Sequence, residues 1–359
     1  MQSDPNPTAL NRQVVLRLAR TYAMAAGVGA LAVWVGTPLP WMLGPFFLFA
    51  ALSAAGQKHP LMPMGRELAQ VAIGLAIGLR FTPAVLAATA FLLPEMIGAT
   101  LYLMFVTTVA ALLLRPLAGV DPVTAFFATA AGGVADMATV AQRFGGAPSS
   151  VAVVHAMRVS LVVALVPFIV FYLGETPALP LGLPQDAGHI GFLILGLLTA
   201  YGVAVLLKQT PLPNPWLVGP ILAGMAIGLA DLVAISVPGW LIIAAQIMLG
   251  TWLGCQFRRD LLAALPRVTA SAVAISGFMV VAAALGAVVL ADIADLPFST
   301  AFLSLAPAAV TEMVLVAKLM NLDAETVAAF HVMRIMIVST TILLMFRVYN
   351  RFKGDHGGS

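Results

Sequence analysis

From Val268 to Leu290 the chain carries no charged residue. As a helix that run would be about 34 Å long, enough to cross a hydrocarbon core of about 30 Å. Apolar segments of similar character lie near 15–35, 39–56, 63–80, 93–114, 122–145 and 149–172. They resume near 190–207, 215–230, 237–256, 268–290, 298–320 and 324–347. Hydrocarbon offers no partner for backbone N–H and C=O groups, so apolar runs of this length must close their hydrogen bonds internally, as helices. Composition agrees: 61% of the 359 residues are hydrophobic and 9% are charged, against roughly a quarter charged in a soluble domain. The chain therefore reads as an all-α polytopic membrane protein. Its net charge of +3 comes from cations standing singly at segment ends, the pattern of membrane topology and not of a nucleic-acid-binding stripe. The lone cysteine, Cys255, excludes an intrachain disulfide and any site of several thiolates, and reads as a helix-packing residue.

The two sets of segments are copies of one another. Pro40-Trp41-Met42-Leu43-Gly44-Pro45 recurs as Pro215-Trp216-Leu217-Val218-Gly219-Pro220. Gln70, Gly74, Gly78 and Phe81 recur as Gln246, Gly250, Gly254 and Phe257. Asp136-Met137 recurs as Glu312-Met313, and His155, Met157 and Arg158 recur as His331, Met333 and Arg334, all at an offset of 175 or 176. Internal repeats of this kind define the architecture: a first repeat over 1–173, a Pro- and Gly-rich linker over 174–189, a second repeat over 190–347 and a tail over 348–359. The first apolar stretch follows Arg12, Arg17 and Arg20 like a signal peptide, but it has a counterpart in the second half and is expected to be retained.

Cation placement sets the orientation. If the fifth segment of each half is re-entrant and the N-terminus is cytoplasmic, nearly all Lys and Arg outside the core fall inside. Only Arg80 and Lys318 fall outside. If every segment crosses, the same cations divide almost evenly. The expectation is two inverted repeats of about five transmembrane helices plus one broken or re-entrant segment each, with both termini cytoplasmic.

Charges in a bilayer cost about 2.5–3.5 kcal/mol each on insertion scales. Arg158 and Arg334 lie about 14–15 Å into their segments, near the midplane. His155 and His331 precede them by three residues, on the same helix face. The fifth segments supply carboxylates, Asp136 after Gly132-Gly133 and Glu312 after Pro307. Gly pairs and Pro weaken helices, and matched helix interruptions in two halves point to a transporter's site. Two readings stay open. Asp136–Arg158 and Glu312–Arg334 are structural ion pairs with the histidines as spacers, or the cluster contacts solute and protons directly. Gln70 and Gln246 either add hydrogen bonds to that site or join helices. Gly74/Gly78 and Gly250/Gly254 have the spacing of small-residue helix contacts, and Trp41 and Trp216 suit helix ends at the lipid interface.

These duplicated blocks together resemble the AbrB-type membrane family, whose members carry the labels ammonia monooxygenase and membrane regulator of gene expression. The resemblance runs from about Arg17 to Arg347. The family's turn reads Ala-Pro-Gly-Gly before its acid. Here Ala130-Ala131-Gly132-Gly133 lacks the Pro, and Ala306-Pro307-Ala308-Ala309 lacks both glycines, so inequivalent sites are expected. An oxygenase needs several converging metal ligands, and an arginine three residues from each buried histidine is a poor neighbour for a cation. No enzyme activity, metal or cofactor is therefore expected. The tails are too short for a DNA-reading module, so no nucleic-acid partner is expected.

The sequence thus points to a transporter in the bacterial inner membrane, coupled to protons and carrying a small solute, with a small organic anion favoured. Its partners would be the lipid bilayer, the solute, protons and, in a homo-oligomer, further copies of itself. The alternative is a membrane-embedded ligand sensor that affects gene expression indirectly. In a Cys255→Ser background, single cysteines at Ser149 and Asp323 are expected to react with an impermeant thiol reagent from opposite faces of the membrane; labelling of both from one face would exclude the inverted arrangement.

Overall fold

The computed structural model describes residues 12–173, 190–210, 212, 214–230 and 235–354; the linker expected at 174–189 and the tail beyond Gly354 lie outside the described residues. Among those described, sixteen helices and no strand occur. The first half comprises α1 (Arg12–Val35), α2 (Pro40–Ala54), α3 (Gly65–Gly78), α4 (Pro83–Phe91), α5 (Leu93–Ala118), α6 (Pro122–Thr129), α7 (Val134–Arg143) and α8 (Pro148–Leu173). The second comprises α9 (Ile190–Leu207), α10 (Pro215–Ala230), α11 (Gly239–Gly254), α12 (Arg259–Ala264), α13 (Pro266–Ala294), α14 (Phe298–Leu305), α15 (Val310–Leu319) and α16 (Ala324–Gly354).

Local chemistry sets these boundaries. Proline opens α2, α4, α5, α6 and α13, where its missing N–H has no intrahelical acceptor to lose. Thr82 caps α4 by accepting from Val85 N, and Asp121 caps α6 by accepting from Thr124 N at 2.9 Å. The repeat's register reappears in the elements: α6 and α7 begin and end 176 residues before α14 and α15. Left-handed residues follow suit, with Leu39, Gly119 and Gly145 matched by Asn214, Asp295 and Asn321.

Six helices, α1, α5, α8, α9, α13 and α16, are long and apolar enough to span a membrane. They present large apolar side chains outward, among them Phe105, Leu198, Leu285 and Ile293, each more than 60% exposed. A soluble protein does not display such a belt; this is an all-α polytopic membrane protein. The helices α2, α10 and α11 are apolar but shorter, and α3 meets α4 at a bend of 93°. At 14–16 residues these helices measure about 21–24 Å, less than the hydrocarbon core. Each fifth segment is two short helices, α6–α7 and α14–α15, separated by extended backbone. The sequence reading did not anticipate α4 and α12, which occupy the turns after the third segments.

The short helices are paired across the halves: α3 packs on α10, and α11 packs on α2. Glycine makes both contacts. A Cβ on Gly74 would sit 2.8 Å from Pro220 Cβ, and one on Gly224 2.8 Å from Leu75 O. In the reciprocal pair, a Cβ on Gly254 would lie 2.6 Å from Phe46 O, and one on Gly250 would overlap the Met42 carbonyl. Backbone meets backbone here, so no flexible side chain can yield. Trp41, expected at the lipid interface, also covers Gly29 of α1, and Trp216 packs on Tyr201 with ring centroids 5.5 Å apart. Gly250→Val is accordingly expected to lose folded, monodisperse protein, since overpacking costs about 1–3 kcal/mol or more. Gly277→Ala, in open space on α13, is expected to hold or raise the melting temperature, by about 0.5–1 kcal/mol of helix propensity.

Candidate functional site

Each fifth segment is interrupted by four residues, 130–133 and 306–309. Ala130 (φ −54°, ψ 143°) and Ala306 (φ −56°, ψ 133°) leave the helix into the same extended conformation. Gly133 (φ −66°, ψ 138°) and Ala309 (φ −72°, ψ 147°) hold it up to the next helix. Different residues produce one backbone. Pro307 pushes Ala306 out of the helical region, whereas Gly132-Gly133 supply low helix propensity. Neither glycine uses its access to positive φ, which among the glycines occurs at Gly36, Gly56, Gly119 and Gly145.

An interruption at this depth leaves carbonyls at the end of the first short helix and N–H groups at the start of the second without helical partners. The buried His and Arg answer the first need. Arg158 Nη1 donates to Thr129 O at 2.8 Å and Ala130 O at 3.0 Å, and its Nη2 lies 3.0 Å from His155 Nδ1. Arg334 Nη1 donates to Ala306 O at 3.0 Å and its Nη2 to Ala308 O at 3.1 Å; the same Nη2 lies 2.5 Å from His331 Nδ1. A guanidinium only donates, so each imidazole accepts at Nδ1 and carries its proton on Nε2. That Nε2 donates to Phe127 O at 3.0 Å in the first half and to Leu303 O at 2.9 Å in the second. Both arginines are about 5% exposed and both histidines fully buried. A cation beside the last carbonyls of a helix also meets the negative end of its dipole.

This arrangement corrects the ion-pair expectation in the second half only. The partners of Arg334 are break carbonyls and His331; among the described residues it forms no ion pair with Glu312. The expected Asp136–Arg158 pair falls outside the described residues: Asp136 is the third residue of α7, and its side chain is not among those described.

Glu312 is the third residue of α15, buried at 3% exposure. Its carboxylate turns back onto its own N–H, serving the amide end of the break, and Oε2 has no hydrogen-bond partner. The charge acting on it is Arg66, at the start of α3. The guanidinium of Arg66 lies over the Trp252 ring of α11 at 4.3 Å. One helical turn along α3, Gln70 Nε2 donates to Thr311 Oγ1 at 2.9 Å and to Asn214 Oδ1 at 3.3 Å. Arg66, Gln70, Asn214, Thr311 and Glu312 thus form a polar patch fed by both halves, inside an otherwise apolar bundle.

Gln246, the repeat partner of Gln70, is 3% exposed, and among the described residues its Oε1 has no partner. The positions that would supply one are Leu39, counterpart of Asn214, and Ala135, counterpart of Thr311. The residue types at these two pairs of positions therefore differ between the halves. The sequence reading singled out none of Arg66, Asn214 and Trp252. Arg66 stands four residues before Gln70, on one helix face, and Asn214 immediately precedes the repeated Pro-Trp block; both were available signals.

A third polar cluster joins α3 to the other half at its far end. Arg80 pairs with Glu325 at the start of α16, and Lys318 Nζ donates to Ala76 O at 3.2 Å. These are the two cations that the charge pattern placed outside. Their repeat partners are uncharged: Gln256 for Arg80, Ser149 for Glu325 and Gln142 for Lys318. Among the described residues no three His, Cys, Asp or Glu side chains converge to hold a metal.

Arg334→Met would strand the Ala306 and Ala308 carbonyls. Each unsatisfied buried acceptor costs about 1–3 kcal/mol, so a marked drop in melting temperature in detergent is expected. Adding Glu312→Gln to Arg334→Met is expected to recover none of it. Recovery in that double variant would restore the direct ion pair.

The sequence profile described as transition state regulatory protein AbrB matches residues 1–118 and 41–350. A protein of Bacillus subtilis (strain 168) known as YhjN, itself uncharacterized, is 24% identical over 366 residues, covering 93% of each chain. A protein of Escherichia coli (strain K12) named "Putative regulator AbrB" is 24% identical over 325 residues, covering 89% of this chain and 92% of that one. With its duplicated blocks, its interrupted fifth segments and a profile match across nearly its whole length, the chain belongs to the AbrB family.

Proposed function

We propose that the protein is a proton-coupled transporter of a small solute in the bacterial inner membrane, built as two inverted repeats with cytoplasmic termini. The observation that carries this reading is the buried polar patch where α3 meets the interrupted segment of the other half. Gln70, Asn214 and Thr311 are linked there, and Glu312 stands at a helix N-terminus with one carboxylate oxygen unpartnered. Polar groups of this kind inside a membrane bundle mark solute and proton paths. Glu312 is the coupling carboxylate. The terminal nitrogens of Arg158 and Arg334 bond break carbonyls and histidines, which leaves only their Nε atoms unpartnered among the described residues, so their main part in this reading is to shape the breaks. Arg66, with Nε unpartnered, is the clamp for a small organic anion, and the positive end of α15 supports the same charge preference.

Alternating access needs a closed face and a face that can open. In this reading the Arg80–Glu325 pair and the Lys318–Ala76 bond are the latch of the extracytoplasmic side. No charged residue stands at the equivalent positions of the other side.

The test is uptake into proteoliposomes of a panel of small acids, amines and inorganic ions, with and without an imposed proton gradient. Wild-type protein is expected to take up at least one acid in a gradient-dependent way. Glu312→Gln is expected to fold and to lose the gradient dependence, and Arg66→Gln to weaken uptake by tenfold or more. Gradient dependence that survives in folded Glu312→Gln would remove the carboxylate from the coupling step. The regulator naming of the Escherichia coli relative favours a second reading, a membrane-embedded sensor without net flux. Saturable binding by folded protein, with no uptake of the same compound, would select it over the transporter.

A further inference from the structure

At the N-terminal end of α1, away from the interrupted helices, a crevice of about 540 Å³ opens between that helix and the loop joining α2 to α3. Arg17 and Arg20 line it from α1, and Lys58 and His59 line it from the loop. The arginines fall on one side of the helix because their spacing of three brings them to neighbouring positions. Three cations around one concavity repel one another unless an anion is present. Among the described residues, neither arginine nor Lys58 has a carboxylate partner; the ion pairs there are Arg80–Glu325 and Arg258–Asp260. Thr21, which also lines the crevice, has its Oγ1 turned onto Arg17 O at 3.0 Å. The ring of His59 rests edge-on against Phe49 at 5.1 Å, and its Nε2 has no partner. Burial and the charge of Arg20 hold this imidazole below its ordinary pKa.

We infer that this crevice is a binding site for a phosphate group, with Arg17, Arg20 and Lys58 supplying the charge. Its position favours a phosphate carried by an anionic phospholipid. Beyond Arg20 the same helix continues inward as an apolar run whose Leu31 is 56% exposed, so acyl chains would lie along that run while the headgroup fills the crevice. Cations at such a level gain from anionic lipid even without specific geometry; the concave, three-sided arrangement adds a place for the phosphate to sit. The site is independent of the transport reading and survives if that reading fails.

The experiment uses full-length protein in a neutral detergent, with melting temperature read against added phosphatidylglycerol, phosphatidylcholine or inorganic phosphate. Phosphatidylglycerol is expected to raise the melting temperature and phosphatidylcholine to leave it unchanged. The variant Arg17→Gln/Arg20→Gln/Lys58→Gln is expected to lose the shift, with apparent affinity falling about fivefold for each cation removed. A full shift with inorganic phosphate alone supports the site and assigns it to soluble phosphate compounds. An equal response to phosphatidylcholine, or an undiminished response in the triple variant, overturns it. If the triple variant does not fold, Lys58→Gln in the exposed loop gives the same reading at the fivefold level: an unchanged affinity there overturns the site.

Discussion

The architecture at the membrane midplane rests on one exchange of needs. A helix interrupted in hydrocarbon exposes carbonyls that require donors, and an arginine in hydrocarbon requires acceptors. Either alone would be expelled. Together, Arg158 with Thr129 and Ala130, and Arg334 with Ala306 and Ala308, satisfy each other. The histidine three residues earlier fixes each guanidinium from one side and anchors to the preceding turn of the short helix from the other. The His-x-x-Arg spacing therefore acts as a bracket for the break. It explains why two such costly residues recur together in both halves, and why the breaks persist although their own sequences differ.

Duplication has kept the bracket and let its surroundings diverge. At the second break a threonine hydroxyl and an asparagine from outside the segment meet Gln70, and the buried Glu312 follows that threonine in the chain. Around Gln246 the corresponding positions hold leucine and alanine. Among the described residues, one half has an amide in a bonded network and the other an amide with an orphan oxygen. The far end of the bundle shows the same drift, with Arg80, Glu325 and Lys318 facing a side of the repeat that has only uncharged counterparts. Symmetric scaffolding with asymmetric polar groups is a physical route by which one polar cluster can stand on one side of a pseudo-symmetric protein.

Much of this was legible in the sequence because the bilayer leaves few options. Apolar run length gave the helices, the duplicated blocks gave their correspondence, and depth along the sixth segments exposed Arg158 and Arg334 as residues needing partners. The identity of those partners was not legible. A carboxylate is the obvious mate for a buried cation when only side chains are counted, and backbone carbonyls become candidates only once the helix is known to be interrupted within reach. Asn214 escaped for a similar reason: its role comes from a left-handed turn that brings it to α3 of the other half, a long-range meeting that no local spacing encodes. The glycines of α3 and α11 were recognised as contact residues, but their partner helices had to come from the fold.

Those glycine contacts carry a consequence for how the protein is made. The helix α3 seats on α10, and α2 on α11, yet well over a hundred residues of synthesis separate each pair. At about 21–24 Å these helices are too short to span the bilayer comfortably by themselves, and the glycine face of α3 has no partner until α10 emerges. The first half must therefore wait at the insertion machinery or at a thinned bilayer as an unfinished intermediate, and assembly is completed only when the two halves interlock. A chain truncated after the first repeat would then be a substrate for membrane quality control, not a smaller version of the protein.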